Sequence, residues 1–205
     1  MVFNRLPTGH AAAVLALVLT VSACDSNKPE DTAGDQEFIT RVTLRMTNAA
    51  VPADVVTITA TDADGDGGGL VFSPARVTLR PGATYRATIT LDDTINDESI
   101  TDEISAEAEE HLFRYAFTPA ITGTVTLTDR ESTYGAQTGA DLPVGLAFSA
   151  AVAGGATGTG TLNATLFHFE DAATKTSATS TSDERDMDID FPVTFATATR
   201  ATASL

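Results

Sequence analysis

The sequence predicts an all-β protein: an antiparallel, immunoglobulin-like β-sandwich of eight or nine strands with one short acidic helix. Three observations carry this. From Phe38 onward apolar residues recur at every second position in short runs, the period of a half-buried strand. Clusters of Gly, Pro, Asp and Ser separate those runs. Only one stretch repeats apolar residues at helical spacing. Two sheets packed face to face satisfy such a pattern, and a closed barrel is the competing all-β arrangement. With no tryptophan and a single cysteine, the antibody-type core pin is absent.

The first strand alternates Val42, Leu44 and Met46 with Arg41, Thr43, Arg45 and Thr47. Residues 49–52 turn the chain, and Val56, Ile58 and Ala60 alternate with threonines in the second. Asp62-Ala-Asp-Gly-Asp-Gly-Gly-Gly is a loop. Val77 and Leu79 open a third strand; Tyr85, Ala87, Ile89 and Leu91 form a fourth. Between them Pro81-Gly82 fits a type II turn, in which the second corner takes a positive φ that glycine tolerates. Ile100, Ile104 and Ala108 then recur among acids, with Ser99 and Asp102 in capping-box positions, predicting a short amphipathic helix outside the sheets.

Alternation resumes at His111, Phe113, Tyr115 and Phe117, then at Val125 and Leu127. A run in phase from Leu142 to Val152 is expected to be one strand, with Pro143 at its start or on an edge. Leu162, Ala164, Leu166 and His168 share a face, residues 172–184 read as a long mobile Ser/Thr loop, and Met187 to Phe195 closes the domain. In that last strand Asp186, Asp188 and Asp190 fall on the outer phase.

Ahead of the sandwich, Arg5, an apolar run from Ala11 to Val21 and the sequence Val21-Ser-Ala-Cys24 describe a bacterial lipoprotein signal. The expected organisation is a signal peptide over 1–23, a flexible tether over 24–37 and the sandwich over 38–205. The apolar run is too short for a transmembrane helix, which needs roughly 20 residues. Cys24 is the lone cysteine, so no intramolecular disulfide forms, and its expected use is lipid attachment. The localisation that follows is the cell envelope, lipid-anchored, with the outer membrane expected.

The formal net charge is -16, and loss of Arg5 with the signal leaves 11 basic against 28 acidic residues. That field repels nucleic acid and anionic lipid and attracts cations or basic partners.

The order of short motifs resembles an uncharacterised family of small Bacteroidota-type lipoproteins. The motifs are Gln36-Glu-Phe-Ile-Thr, Asp62-Ala-Asp-Gly-Asp-Gly, Leu79-Arg-Pro-Gly-Ala-Thr-Tyr, Glu109-Glu-His-Leu-Phe, Gly158-Thr-Gly-Thr-Leu and Asp188-Ile-Asp-Phe-Pro-Val-Thr-Phe. They span nearly all of the chain after Cys24. Members are sometimes labelled as type 1 periplasmic binding fold superfamily proteins, which implies an α/β domain. The residues argue against that, because parallel βα units would need several helices and one is visible. The resemblance implies no activity.

Three constellations are candidates for chemistry. Asp62, Asp64 and Asp66 followed by glycine resemble the front half of a calcium loop. The bidentate Glu of an EF-hand is missing, since Ser73 stands there, so Asp92 or Asp93 would have to contribute. His111 and His168, with Glu109 and Glu110 beside the first, offer two imidazoles and a carboxylate suited to zinc, copper or iron. The acidic stretch 97–110, seven carboxylates in fourteen residues, could dock a basic partner. There is no Gly-x-Ser-x-Gly, no phosphate-cradling glycine loop and no spare thiol, so no enzyme is expected.

The expected function is therefore a non-catalytic binding or accessory module of the envelope. It would serve an outer-membrane transport system, with the membrane and another envelope protein as partners. The alternatives are a transition-metal-binding protein using His111 and His168, and a calcium-stabilised adhesin-like module. Cys24→Ser is expected to abolish labelling with radioactive fatty acid and to move the protein from the membrane fraction to the soluble one.

Overall fold

The computed structural model describes residues 38–63, 65, 68–136 and 139–196. The predicted signal peptide, the tether with Cys24, and Asp64 and Asp66 lie outside the described residues. Among the described residues no helix is long and apolar enough to cross a membrane.

Among the described residues there are ten strands and one α-helix. In chain order they are β1 (Arg41–Asn48), β2 (Val55–Thr61), β3 (Val71–Ser73), β4 (Val77–Leu79), β5 (Thr84–Asp92), α1 (Ile100–Ala106), β6 (His111–Thr118), β7 (Gly123–Leu127), β8 (Ala147–Val152), β9 (Gly158–His168) and β10 (Arg185–Phe195). One sheet has six strands in the order β3-β2-β1-β5-β8-β7, the other four in the order β4-β10-β9-β6. All neighbours run antiparallel except β4 and β10, which are parallel. The predicted all-β sandwich is the fold, and the α/β architecture implied by the periplasmic-binding label is not.

The period-two pattern sets the faces. In β5 Tyr85, Ala87, Ile89 and Leu91 are buried while the residues between them are exposed or half-buried, and Leu44, Met46 and Ile58 continue the same inner layer. The facing sheet contributes Leu79, Phe113, Leu162, Ala164, Leu166, Phe191 and Phe195 to one continuous core. Each buried Leu, Ile, Met or Phe side chain among these contributes roughly 1.5–3 kcal/mol by leaving water. Gly82 adopts φ +74° and the Ala83 N–H donates to the Arg80 carbonyl at 3.1 Å, as the type II reading requires.

Helix α1 is where the spacing put it. Ser99 is its N-cap, accepting from the Asp102 N–H at 3.3 Å, and Ile100, Ile104 and Ala108 are buried in the main core. Thr101 ties the helix to β5: its hydroxyl accepts from the Leu91 N–H at 2.7 Å and donates to the Leu91 carbonyl at 3.1 Å.

Two expectations change. The run from Leu142 to Val152 is not one strand, because β8 begins only at Ala147. Residues 143–146 instead cross between the sheets. The Val144 carbonyl accepts from the Phe113 N–H of one sheet at 2.7 Å, and the Leu146 carbonyl from the Ile89 N–H of the other at 3.0 Å. Gly145 makes the crossing possible, with φ +100° and the Phe113 Cβ 2.6 Å from where its own Cβ would stand. The stretch 172–184, expected to be a mobile loop, carries a buried anchor. Lys175 is inside the protein, with Nζ 3.0 Å from Glu131 Oε1 and donating to the Ala108 carbonyl at 2.6 Å.

Asp129 holds the crossing in place. One carboxylate oxygen accepts from the Gly145 N–H at 2.8 Å; the other accepts from the Ala147 N–H at 3.1 Å and the Tyr134 hydroxyl at 2.7 Å. Burial and this bond to Asp129 raise the Tyr134 phenol well above its ordinary pKa, so it stays a donor. Asp129→Ala strands buried donors and is expected to cost roughly 3 kcal/mol in urea unfolding, with Asp129→Asn losing less.

Candidate metal centre

Strand register brings the two histidines together. β6 and β9 are antiparallel with His111 directly opposite His168, and both point inward at the end of the four-stranded sheet. Their rings stack at 4.7 Å between centroids and 18° between planes. Each is a buried terminal residue of its strand, the first of β6 and the last of β9.

The third member is Asp186, and a bulge puts it there. Along β10 Arg185 pairs with Phe167 and Met187 with Leu166, so Asp186 is the extra residue. Strict alternation back from Met187 would turn Arg185 into the core. The bulge instead leaves Arg185 over the Phe167 ring, 5.4 Å from its centroid, and Asp186 is turned in. Asp186 Oδ2 lies 3.8 Å from His111 Nε2, and Oδ1 lies 4.0 Å from His168 Nδ1. The three side chains are 0%, 2% and 1% exposed for His111, His168 and Asp186. One potential ligand atom from each lies within 4.8 Å of the others.

The tautomer of His111 follows from its neighbour. Nδ1 is 3.1 Å from the Glu107 carbonyl, which can only accept, so Nδ1 carries the proton and Nε2 the lone pair. An imidazole whose other nitrogen donates to a backbone carbonyl is the usual outer support of a metal-binding histidine. The Nε2 atom of His168 is buried with no hydrogen-bond partner among the described residues. Burial pushes His111 down to about 4, reinforced by the neighbouring His168 and Lys175 charges, against the opposing bond to Glu107.

The two histidines of the sequence pattern meet in the fold, and the carboxylate beside them is Asp186. Glu109 and Glu110 are half-buried in the turn before β6 and are not in the cluster. Alternation puts Asp186 on the outer phase with Asp188 and Asp190, and no periodicity signal marks the one-residue bulge that turns it in. The awkward residue was Arg185, whose inward phase beside an apolar strand was the available hint.

The calcium set is reached only through Asp62. That residue is buried, its N–H donates to the Thr40 carbonyl at 2.8 Å, and its Oδ1 accepts from the Gly65 N–H at 3.3 Å. Asp92 is engaged by Arg41 at 3.0 Å, and Asp93 accepts from the N–H groups of Ile95 and Asn96. In the acidic stretch only Asp97 and Asp102 are exposed, the other five carboxylates being half-buried, so it presents less charge outward than its composition suggests.

Compared with protein-family models, curated proteins and solved structures, the chain matches none.

The His111 shift has a measurable consequence for the metal-free protein. The unfolded imidazole binds its proton near 6.5 and the folded one near 4, so the unfolded state holds more protons in between. Stability is therefore full above about pH 6.5 and falls as pH drops towards about 4, by on the order of 3 kcal/mol. Urea titrations across that range should show the loss, and His111→Gln should flatten it.

Proposed function

We propose that this protein is an envelope-anchored, non-catalytic module that binds a transition-metal ion through His111, His168 and Asp186. The observation that carries the reading is the meeting of acceptors: the lone-pair nitrogen of His111 faces a carboxylate oxygen at 3.8 Å inside the protein. A divalent cation placed among the two imidazole nitrogens and the carboxylate would be attracted by all three. The separations of 3.8 and 4.0 Å exceed hydrogen-bond length. They are a few tenths of an ångström longer than the edge of a tetrahedral site with bonds of about 2.0–2.1 Å. Those two separations run to different carboxylate oxygens, and one ligand atom from each residue lies within 4.8 Å of the others, so holding an ion requires the cluster to contract.

Two imidazoles and one carboxylate, without a thiolate, suit zinc, copper(II), nickel or iron(II) better than calcium or copper(I). The lipid anchor expected at Cys24 would hold this binding module in the envelope, where an accessory role to a metal transport system fits a protein without a catalytic set.

Calorimetric titration of metal-free protein with Zn²⁺ at neutral pH is expected to give one site per chain. His168→Ala and Asp186→Asn should each weaken it by about 100-fold or more. At free zinc of about 100 Kd the wild type should gain about 2.7 kcal/mol in stability. Binding that these substitutions leave unchanged, or no binding at all, would overturn the reading.

A further inference from the structure

We propose that the end of the sandwich opposite the histidine pair is a membrane-contacting tip, seated in the headgroup layer of a zwitterionic phospholipid bilayer. The metal-binding reading is not needed for it. His111 opens β6 and His168 closes β9, so the far end is where β6 finishes and β9 starts. There β1 and β8 also end and β5 and β7 begin, with Asn48 opposite Tyr85, Thr84 opposite Ala151 and Gly123 opposite Val152. Four connections meet in a row at this end. The Ala49 N–H donates to the Thr84 carbonyl at 2.8 Å, the Gly82 N–H to the Val152 carbonyl at 3.1 Å, and the Ala153 N–H to the Thr122 carbonyl at 2.8 Å.

Every residue at 49–53, 81–83, 119–121 and 153–156 is Ala, Val, Ile, Pro or Gly, in a chain of which 20% is charged. Ile121 is 86% exposed, the highest value for a large apolar side chain among the described residues, and Val51 is 48% exposed. Asp54 and Arg80, which border this ridge, pair with each other at 2.7 Å. The opposite end is acidic, with Asp97, Asp102, Glu170, Asp171, Asp183 and Glu184 exposed.

Three features select lipid as the occupant. Backbone that enters an apolar layer must be bonded within the protein. Here the Ala50 and Val51 N–H groups donate to Asn48 Oδ1, Ala83 donates to the Arg80 carbonyl and Ala156 to the Ala153 carbonyl, while Pro52, Pro81 and Pro119 have no N–H to satisfy. A tight protein interface buries about 800 Å² on each side around aromatic or arginine anchors. This ridge offers two aliphatic protrusions among Ala, Gly and Pro, and a bilayer requires no matching shape. Charge decides the kind of lipid: with 28 acidic and 12 basic residues the chain is repelled by anionic headgroups, and the tip adds no unpaired basic group to offset that. A lipid chain at Cys24 would keep such a bilayer near, and shallow insertion of Ile121 and Val51 supplies a second attachment.

The chain contains no tryptophan, so a single one reports its own surroundings. Ile121→Trp at the tip and Ile95→Trp, at a 56% exposed position of the acidic end, are made in the full chain. Each is mixed with phosphatidylcholine vesicles, with and without lipids brominated along their acyl chains. The emission of Ile121→Trp is expected to move to the blue and to be quenched by the brominated lipid, while that of Ile95→Trp keeps its value in water. Val51→Ser added to Ile121→Trp should lower the ratio of inserted to free tip by about tenfold. Phosphatidylglycerol in the vesicles should weaken insertion, and salt should restore it. Emission of Ile121→Trp that vesicles leave unmoved, or equal quenching of both reporters, would overturn the tip. So would a blue shift that grows with protein concentration in the absence of vesicles, which would make the occupant a second copy of this chain. Because the vesicles are supplied, these outcomes do not turn on lipid attachment at Cys24 or on metal binding, and either of those readings can fail while the tip stands.

Discussion

Strand β9 fixes most of what matters in this molecule, because it is paired on both sides and its register decides which residues face inward. Against β6 it sets His111 opposite His168 and Phe113 opposite Leu166; against β10 it sets Ile189 opposite Ala164 and Phe191 opposite Leu162. A one-residue slip on either side would turn an entire apolar row outward. Burial of Phe113, Phe117, Leu166, Phe191 and Val193 therefore enforces the register, and the histidine pair at the end of the ladder inherits it. The polar cluster is positioned by apolar packing rather than by its own bonds. The one exception is the bulge, where keeping Arg185 out of the core turns Asp186 into it.

The same end of the domain holds an unusual share of buried charge. Lys175 and Glu131 pair at 3.0 Å, Asp129 gathers two backbone N–H groups and a phenol, and Lys175 also caps the Ala108 carbonyl next to the start of β6. Buried ion pairs add little net stability, because desolvation offsets their attraction. What this set does is geometric: it ties residues 172–184, the end of α1 and the crossing at 143–146 to one another. Burial lowers the Lys175 pKa, and Glu131 at bonding distance works against that. The Glu131 carboxylate also offsets the cationic charge that Lys175 would otherwise present to the neighbouring imidazoles.

Most of the fold was legible because it rests on periodicity. The strands around Leu44, Ile58, Tyr85–Leu91, Phe113 and Leu162–Leu166 follow directly from period-two burial, and the helix follows from Ser99 with Ile100 and Ile104. Val71–Ser73 was not read, since a three-residue edge strand is too short to show alternation. The run through Leu142–Leu146 misled for a different reason. Its alternation is real, but it serves two sheets in turn through a positive-φ glycine, and hydropathy does not distinguish that from a strand. For the site, the inward phase of His111 and His168 was legible, but their adjacency was not, because strand order is a non-local property. Asp186 was hidden by a bulge, which shifts phase without changing composition.

The closure of the cluster also bears on what such a site is for. A catalytic zinc keeps an open coordination position facing substrate, whereas a site that retains its ion does not need one. Here the imidazoles are packed against each other and closed off by the sandwich, with the Glu107 carbonyl fixing one of them from behind. On the metal-binding reading that geometry favours retention over turnover, and the exchange rate then depends on the protein around the ion more than on the ligands themselves. The acidity of the whole chain acts at longer range: a protein with 28 acidic and 12 basic residues attracts cations to its surface.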